Sequence, residues 1–318
     1  MKKSLIILIL SLLLWGTAKA QQDTVLYYMK NSGALVHNKD SADYFRVVIS
    51  PDTSVDKKLF VVYEFYRNGK TKMMGKSLNR ALNLNLEGFS VSFFPNGKRS
   101  NVFNYKDGKF VGDQMSFYPN GKLYQTINYN DNQVVKLIEC RDSTGKVLAG
   151  NGNGSWVNYD ENFKDTTTTG AVKDSLQQGE WHGMDGQRVA CVNTYNKGDF
   201  VSGIFYFESG ETYKYSAPTM EPAFPGGVEG FYKFLGSKVR YPDDAKANDI
   251  QGKVITKFVI EKNGTLSHIE NVKSPIQSMG DEVIRAVKLS PLWMPPIQNG
   301  MPVRMQYTFS FAFTIADH

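Results

Sequence analysis

The sequence predicts a β-rich chain that ends in a small α+β module: an antiparallel β-meander of sequence repeats, then helices on one face of a three-stranded sheet. Three observations lead there. Twenty Phe, 17 Tyr and 28 Gly stand against four Trp, a balance that favours strands and tight turns. A short aromatic-Asn-Gly-Lys motif recurs through the middle of the chain. The final residues alternate apolar and polar without a miss. At 318 residues, 41% hydrophobic and 21% charged, the chain has material for two ordinary domains, or one domain and a repeat array.

The first twenty residues read as a signal peptide. Lys2 and Lys3 precede an apolar run, Leu5–Trp15, and Ala18-Lys19-Ala20 is a small-x-small cleavage pattern. As a helix that run rises about 17 Å, against about 30 Å of hydrocarbon in a bilayer. Export is therefore expected, with the mature chain starting near Gln21; a retained leader would instead anchor the protein in the inner membrane. Setting aside the leader's three lysines reduces the formal charge from +6 to +3. The remainder is spread evenly, which excludes a nucleic-acid footprint.

Repeats organise the middle. Phe65–Lys70 is FYRNGK, Phe93–Lys98 is FFPNGK and Phe117–Lys122 is FYPNGK, with a weaker copy at Tyr206–Glu211. Tyr105–Val111 and Tyr195–Val201 form a second matching pair. In each unit an aromatic pair ends a strand, and Asn-Gly is expected to supply the positive φ of a hairpin turn. Pro95 and Pro119 fix φ early in their turns. A lone hairpin is marginal, so successive hairpins must pair to bury their aromatics. The rings read as shared core, with a carbohydrate-stacking surface as the sharper alternative. The pattern degrades between Ser143 and Gly186, where Gly150–Gly154 reads as a flexible loop. Residues 21–58, with strands at Thr24–Met29 and Tyr44–Ser50, read as a cap on the 59–216 array.

Cys140 and Cys191 each sit in a strand-like run. In an exported chain they form a candidate disulfide closing a loop between repeat units, or two buried thiols packing as small hydrophobes. No CxxC occurs, so cysteine-based redox or zinc chemistry is excluded.

Composition changes at Ala217, and nine of the twelve prolines lie between Pro218 and Pro302. A boundary is expected near Ser216–Met220, with a module over 219–318. Phe231, Phe234 and Leu235 share one face of a short helix at 228–235. Pro242, followed by Asp243 and Asp244, reads as the first position of another helix. Lys253–Lys262 and Thr265–Lys273 flank Asn263-Gly264 as a hairpin. Gln277–Leu289 carries helical spacing, with acids early and bases late. Val303 to Ile315 alternates at period two, with Arg304, Gln306, Thr308 and Ser310 on the polar face.

Two resemblances follow from these residues. The Asn-Gly-Lys turns resemble the MORN-repeat variant of YwqK-type antitoxin-like proteins, which implies a β-meander without chemistry of its own. Phe224-Pro225-Gly226-Gly227, Tyr241-Pro242, Gly252-Lys253-Val254, Pro291-Leu292-Trp293 and Gly300–Arg304 resemble the TonB C-terminal domain, in the form found in Bacteroidetes-type energy transducers. That resemblance implies a periplasmic module that docks onto a TonB-dependent outer-membrane transporter. The transporter's TonB-box peptide would add as a strand beside the last strand. The partner-binding residues it implies are Tyr241 and Pro242, with Arg304, Gln306, Thr308 and Ser310 beside the guest. Tyr241-Pro242 is also readable as a packing tyrosine before a helix-start proline. An inner-membrane ExbB/ExbD-type motor is the implied energy source, directly or through another protein. The chain departs from the family by carrying β-repeats where a proline-rich spacer is expected.

Catalytic patterns are missing from the sequence. His37, His182, His268 and His318 are scattered, and there is no GxSxG, Walker A or Ca²⁺-loop motif. The chain reads as a non-enzyme with no cofactor and no metal site. An exported structural adaptor, assembling with envelope partners without energy transduction, is the alternative.

Overall fold

The computed structural model describes residues 23–315, apart from 53, 55–57 and 131. The expected signal peptide lies outside them. No helix among the described residues is long and apolar enough to cross a membrane. The described residues form two compact units, those up to Trp156 with Val172–Leu176, and Val157–Ala171 with those from Gln177 onward. The boundary expected near Ser216–Met220 falls inside the second unit.

In the first unit, strands consecutive in sequence pair antiparallel. Thr24–Met29 pairs with Tyr44–Ile49, and that strand with Phe60–Tyr66. The meander continues through Thr71–Ser77, Gly88–Phe93, Arg99–Lys106, Gly112–Phe117, Leu123–Tyr129, Val135–Arg141 and Val147–Gly150. Val48, Val62 and Met73 form a small core against Tyr27, Phe60 and Leu84. Beside it the Glu64 carboxylate, 5% exposed, lies 2.8 Å from Arg46 and 2.9 Å from Lys72. A buried carboxylate is costly unless paired, so the two cations pin the register of three neighbouring strands.

The repeated motif closes hairpins by one kind of turn. Tyr66 N–H donates to Lys70 O and Gly69 N–H to Tyr66 O, both at 2.8 Å, and the same pattern closes Phe94–Lys98 and Tyr118–Lys122. Glycine alone takes positive φ: +80° at Gly69, +88° at Gly97 and +88° at Gly121. These are three-residue loops, a type I turn followed by a left-handed bulge. Asparagine's side chain closes the loop by accepting from the lysine N–H two residues on, at 2.9–3.0 Å. Two-residue turns with positive φ at both positions fall at Asp107-Gly108, Asn151-Gly152, Asp174-Ser175, Lys197-Gly198 and Asn299-Gly300.

Asparagine and lysine also stitch one turn to the next. Asn96 and Asn120 Nδ2 donate to Pro119 O and Ser143 O at 2.8 Å. Lys70 and Lys98 Nζ reach Pro95 O and Asn120 O. Lys122 reaches Thr144 O. That last bond exposes a further copy of the turn, Asp142–Lys146, with Asp142 in a capping role and Gly145 at φ +94°. The motif is therefore a ladder as well as a turn.

One sequence expectation is corrected in these regions, and two open readings are decided. Gly150–Gly154 is a tight hairpin, with Gly152 N–H donating to Ile138 O and Gly152 O accepting from Ser175 N–H. The degraded stretch carries ordered strands at Asn153–Tyr159, Thr166–Lys173 and Leu176–Asp185. Cys140 and Cys191 are buried thiols with no bridge between them. Each is held among its own strand partners, Cys140 opposite Gln125 and Ala149, and Cys191 opposite Gly183 and Phe205.

The second unit holds the last strands of the meander, Arg188–Asn196, Asp199–Tyr206 and Thr212–Tyr215, again paired in order. Its C-terminal module contains helices α1 (Gly227–Lys238), α2 (Asp243–Ala247) and α3 (Gln277–Val287), and strands β1 (Gly252–Ile260), β2 (Leu266–Lys273) and β3 (Met305–Phe313). One core joins them: Phe231 and Leu235 from α1, Val254 and Phe258 from β1, Met279 and Val283 from α3, Phe309 and Phe313 from β3, with Trp293. Pro242 is not the first helical residue; at φ −62°, ψ 140° it is the extended residue before α2. Its carbonyl still accepts from Lys246 N–H at 2.9 Å.

Candidate docking edge

Strand order in the module is β2-β1-β3, which leaves β3 at a margin among the described residues. Nine residues of β3 face nine of β1, from Phe313 opposite Gly252 to Met305 opposite Ile260, with no register shift. The other margin differs. β2 slips against β1 between Ile255 and Thr256 and again between Lys257 and Val259, and His268 takes φ +49°. Bulges blunt a strand edge against further pairing. The regular margin is therefore β3.

Alternation places its side chains on two faces. Gln306, Thr308 and Ser310 are exposed, together with Ala312. On the opposite face Phe309 lies under Phe231 with ring centroids 5.0 Å apart, and Tyr307 lies 5.4 Å from Trp293. Burial first, and the Tyr232 phenol second, push the Tyr307 hydroxyl above its ordinary pKa.

The other expected residues are placed differently. Arg304 precedes β3 and is committed to Glu261, Nη2 to Oε1 at 2.9 Å. The Ser267 hydroxyl also donates to that carboxylate, and this bond, followed by Arg304, holds Glu261 below the usual carboxylate range. Tyr241 sits at the other end of β3, its ring edge-on to Phe313 at 5.3 Å and its hydroxyl donating to Ile250 O at 2.7 Å. The half-buried tyrosine thus fixes the connection between α2 and β1.

Tyr232, which the sequence reading passed over, borders the same margin through its influence on Tyr307. α1 exposes Val228 (62%) and Tyr232 (43%), spaced i, i+4 on the flank of the helix beside buried Phe231 and Leu235. That spacing was the available signal. Two glycines set the supports. Gly264, at φ +84°, lets Trp293 N–H reach its carbonyl at 2.9 Å, where a Cβ would lie 2.2 Å from Trp293 O. Gly226, at φ +83°, turns the chain from buried Phe224 into α1.

The class is then defined by comparison. Residues 237–315 match the family model of the Gram-negative bacterial TonB protein C-terminal, and this part of the chain is TonB-like. The MORN-type reading of the preceding repeats rests on their turns. Two NMR solution structures of the Helicobacter pylori TonB C-terminal domain are similar. The longer is 20% identical, with 29% of this chain and 82% of that chain covered, at a TM-score of 0.23. The shorter is 22% identical, with 29% and 96% covered, at a TM-score of 0.22. No curated protein matches the chain.

Proposed function

We propose that this is a TonB-like protein of the periplasm whose module docks onto an outer-membrane transporter by taking a transporter peptide as an added strand along β3. The observation that carries the reading is the unbulged, singly paired β3 margin in a segment that matches the TonB C-terminal family. An open ladder supplies backbone donors and acceptors for affinity, and alternate side chains supply specificity. Gln306, Thr308 and Ser310 would lie beside one face of the guest, and Tyr307 and Tyr232 beside the other. Arg304 and Tyr241 would act indirectly, by holding the two ends of the strand. The role is binding without catalysis, in energy-coupled transport driven by an inner-membrane ExbB/ExbD-type motor, directly or through another protein.

Titration of a labelled TonB-box peptide into the isotopically labelled chain tests this. Binding is expected to move the amide resonances of Met305–Phe313 more than those of Leu266–Lys273. No shift at millimolar peptide, or shifts centred on β2, would refute it. A second reading, an envelope adaptor without energy transduction, is favoured by the connection at 216–223. Backbone bonds tie that connection to residues 294–300, whereas a TonB spacer is extended. Transport that persists after deletion of this protein's gene, with peptide binding intact, would support it.

A further inference from the structure

Residues 216–223 link the last repeat strand to the module, and they are held along their length. Met220 and Ile297 exchange N–H···O bonds of 2.8 and 2.9 Å, Ala223 and Met294 exchange bonds of 3.1 and 2.8 Å, and Gly300 N–H donates to Pro218 O at 2.7 Å. The Gly300 carbonyl turns back onto the repeats. It accepts from Asn193 Nδ2 at 2.7 Å and lies 3.4 Å from both Cys191 Sγ and the Tyr215 hydroxyl. Tyr215 Oη in turn donates to Asn193 Oδ1 at 2.6 Å.

Asn193 is 3% exposed, so both ends of a buried amide are satisfied, one by the repeats and one by the module. Separating the two would break the bond between the Asn193 N–H₂ and the Gly300 carbonyl, and a slip that parts them without admitting water would leave both buried and unpaired, which costs more than the bond itself is worth. Apolar packing adds to the hold. Cys191, Phe205 and Tyr215 from the repeats cluster with Met294 and Ile297 from the module, and Met220 and Ala223 of the link pack against them. Gly300 takes φ +75°, and a Cβ there would lie 2.8 Å from Asn193 Nδ2. The contact depends on glycine.

We propose that the module is mounted rigidly on the last repeat strands, with the Asn193–Gly300–Tyr215 contact as its latch. A strand gripped along β3 is then held in a fixed orientation to Asp199–Tyr206, and a pull on it loads those strands directly. The mount goes beyond the docking reading and does not depend on it, because it is read without any peptide.

Residual dipolar couplings on the full chain test the mount first. Amides of Asp199–Tyr206 and Met305–Phe313 are expected to fit one alignment tensor; a need for two tensors in the wild-type protein overturns the proposal. Hydrogen exchange tests the latch, with Asn193→Asp replacing the donor and Tyr215→Phe removing a single hydroxyl. Each variant is expected to lose protection in both segments, by about ten-fold. Loss confined to Asp199–Tyr206, or loss in neither segment, overturns it. Tyr215→Phe keeps the test decisive if Asn193→Asp fails to fold.

Discussion

Replacing Thr256 by valine is expected to stabilise the module. Thr256 sits at the middle of β1, opposite Phe309 of the docking margin, and is fully buried. Its hydroxyl has no hydrogen-bond partner among the described residues. A buried, unbonded hydroxyl costs about 1–3 kcal/mol. Valine keeps the β-branch that suits the strand and replaces the hydroxyl with a methyl of similar size, so a gain of about 1–2 kcal/mol is expected. With a urea slope of about 1–3 kcal/mol/M, the unfolding midpoint should rise by about 0.3–2 M at unchanged slope. Thr256→Ala, which leaves a gap, should fall below the valine variant. A lower midpoint for Thr256→Val would mean that the hydroxyl is bonded in the folded protein, and the reasoning would fail.

Other perturbations probe the rest of the chain. Gly152→Ala combines a φ of +73° with a Cβ 2.1 Å from Ser175 Oγ and 2.6 Å from Ser175 N; a loss of about 3 kcal/mol or more is expected by chemical denaturation, and a loss below about 1 would contradict the tight hairpin. Asn120→Ala removes the bond from Lys122 N–H and the bond to Ser143 O; a loss of about 1–2 kcal/mol is expected, with non-additivity when combined with Asn96→Ala. Glu261 has a lowered pKa in the folded protein, so its stabilisation is present above the unfolded value of about 4.3 and is lost as pH falls through the folded value. Ser267→Ala should raise the Glu261 carboxyl titration midpoint in NMR and shrink that acid-range dependence; an unmoved midpoint would remove Ser267 as the main cause.

Much of the fold was legible because its signals are local. The alternation from Val303 to Ile315 announced β3, and the helical spacing of Met279, Val283 and Ala286 announced α3. The repeated turns were visible, but their type was not. Asn-Gly suits either a two-residue or a three-residue loop, and the register of the flanking strands decides between them. The copy at Asp142–Lys146 was hidden because Thr144 stands at the asparagine position and Asp142 at the aromatic position. Arg304 sat in the polar alternation, yet Glu261, 43 residues earlier, claims it.

By itself the sequence determined the order of elements, the alternating faces of β3 and the row Gln306, Thr308 and Ser310, since side-chain period and turn chemistry act over a few residues. Tertiary structure alone decided which strand lies at a regular margin, whether the cysteines meet, and how the link at 216–223 is held. Those outcomes depend on pairings between residues scores of positions apart. No local pattern encodes them, because the deciding free energy comes from partners that only folding brings together.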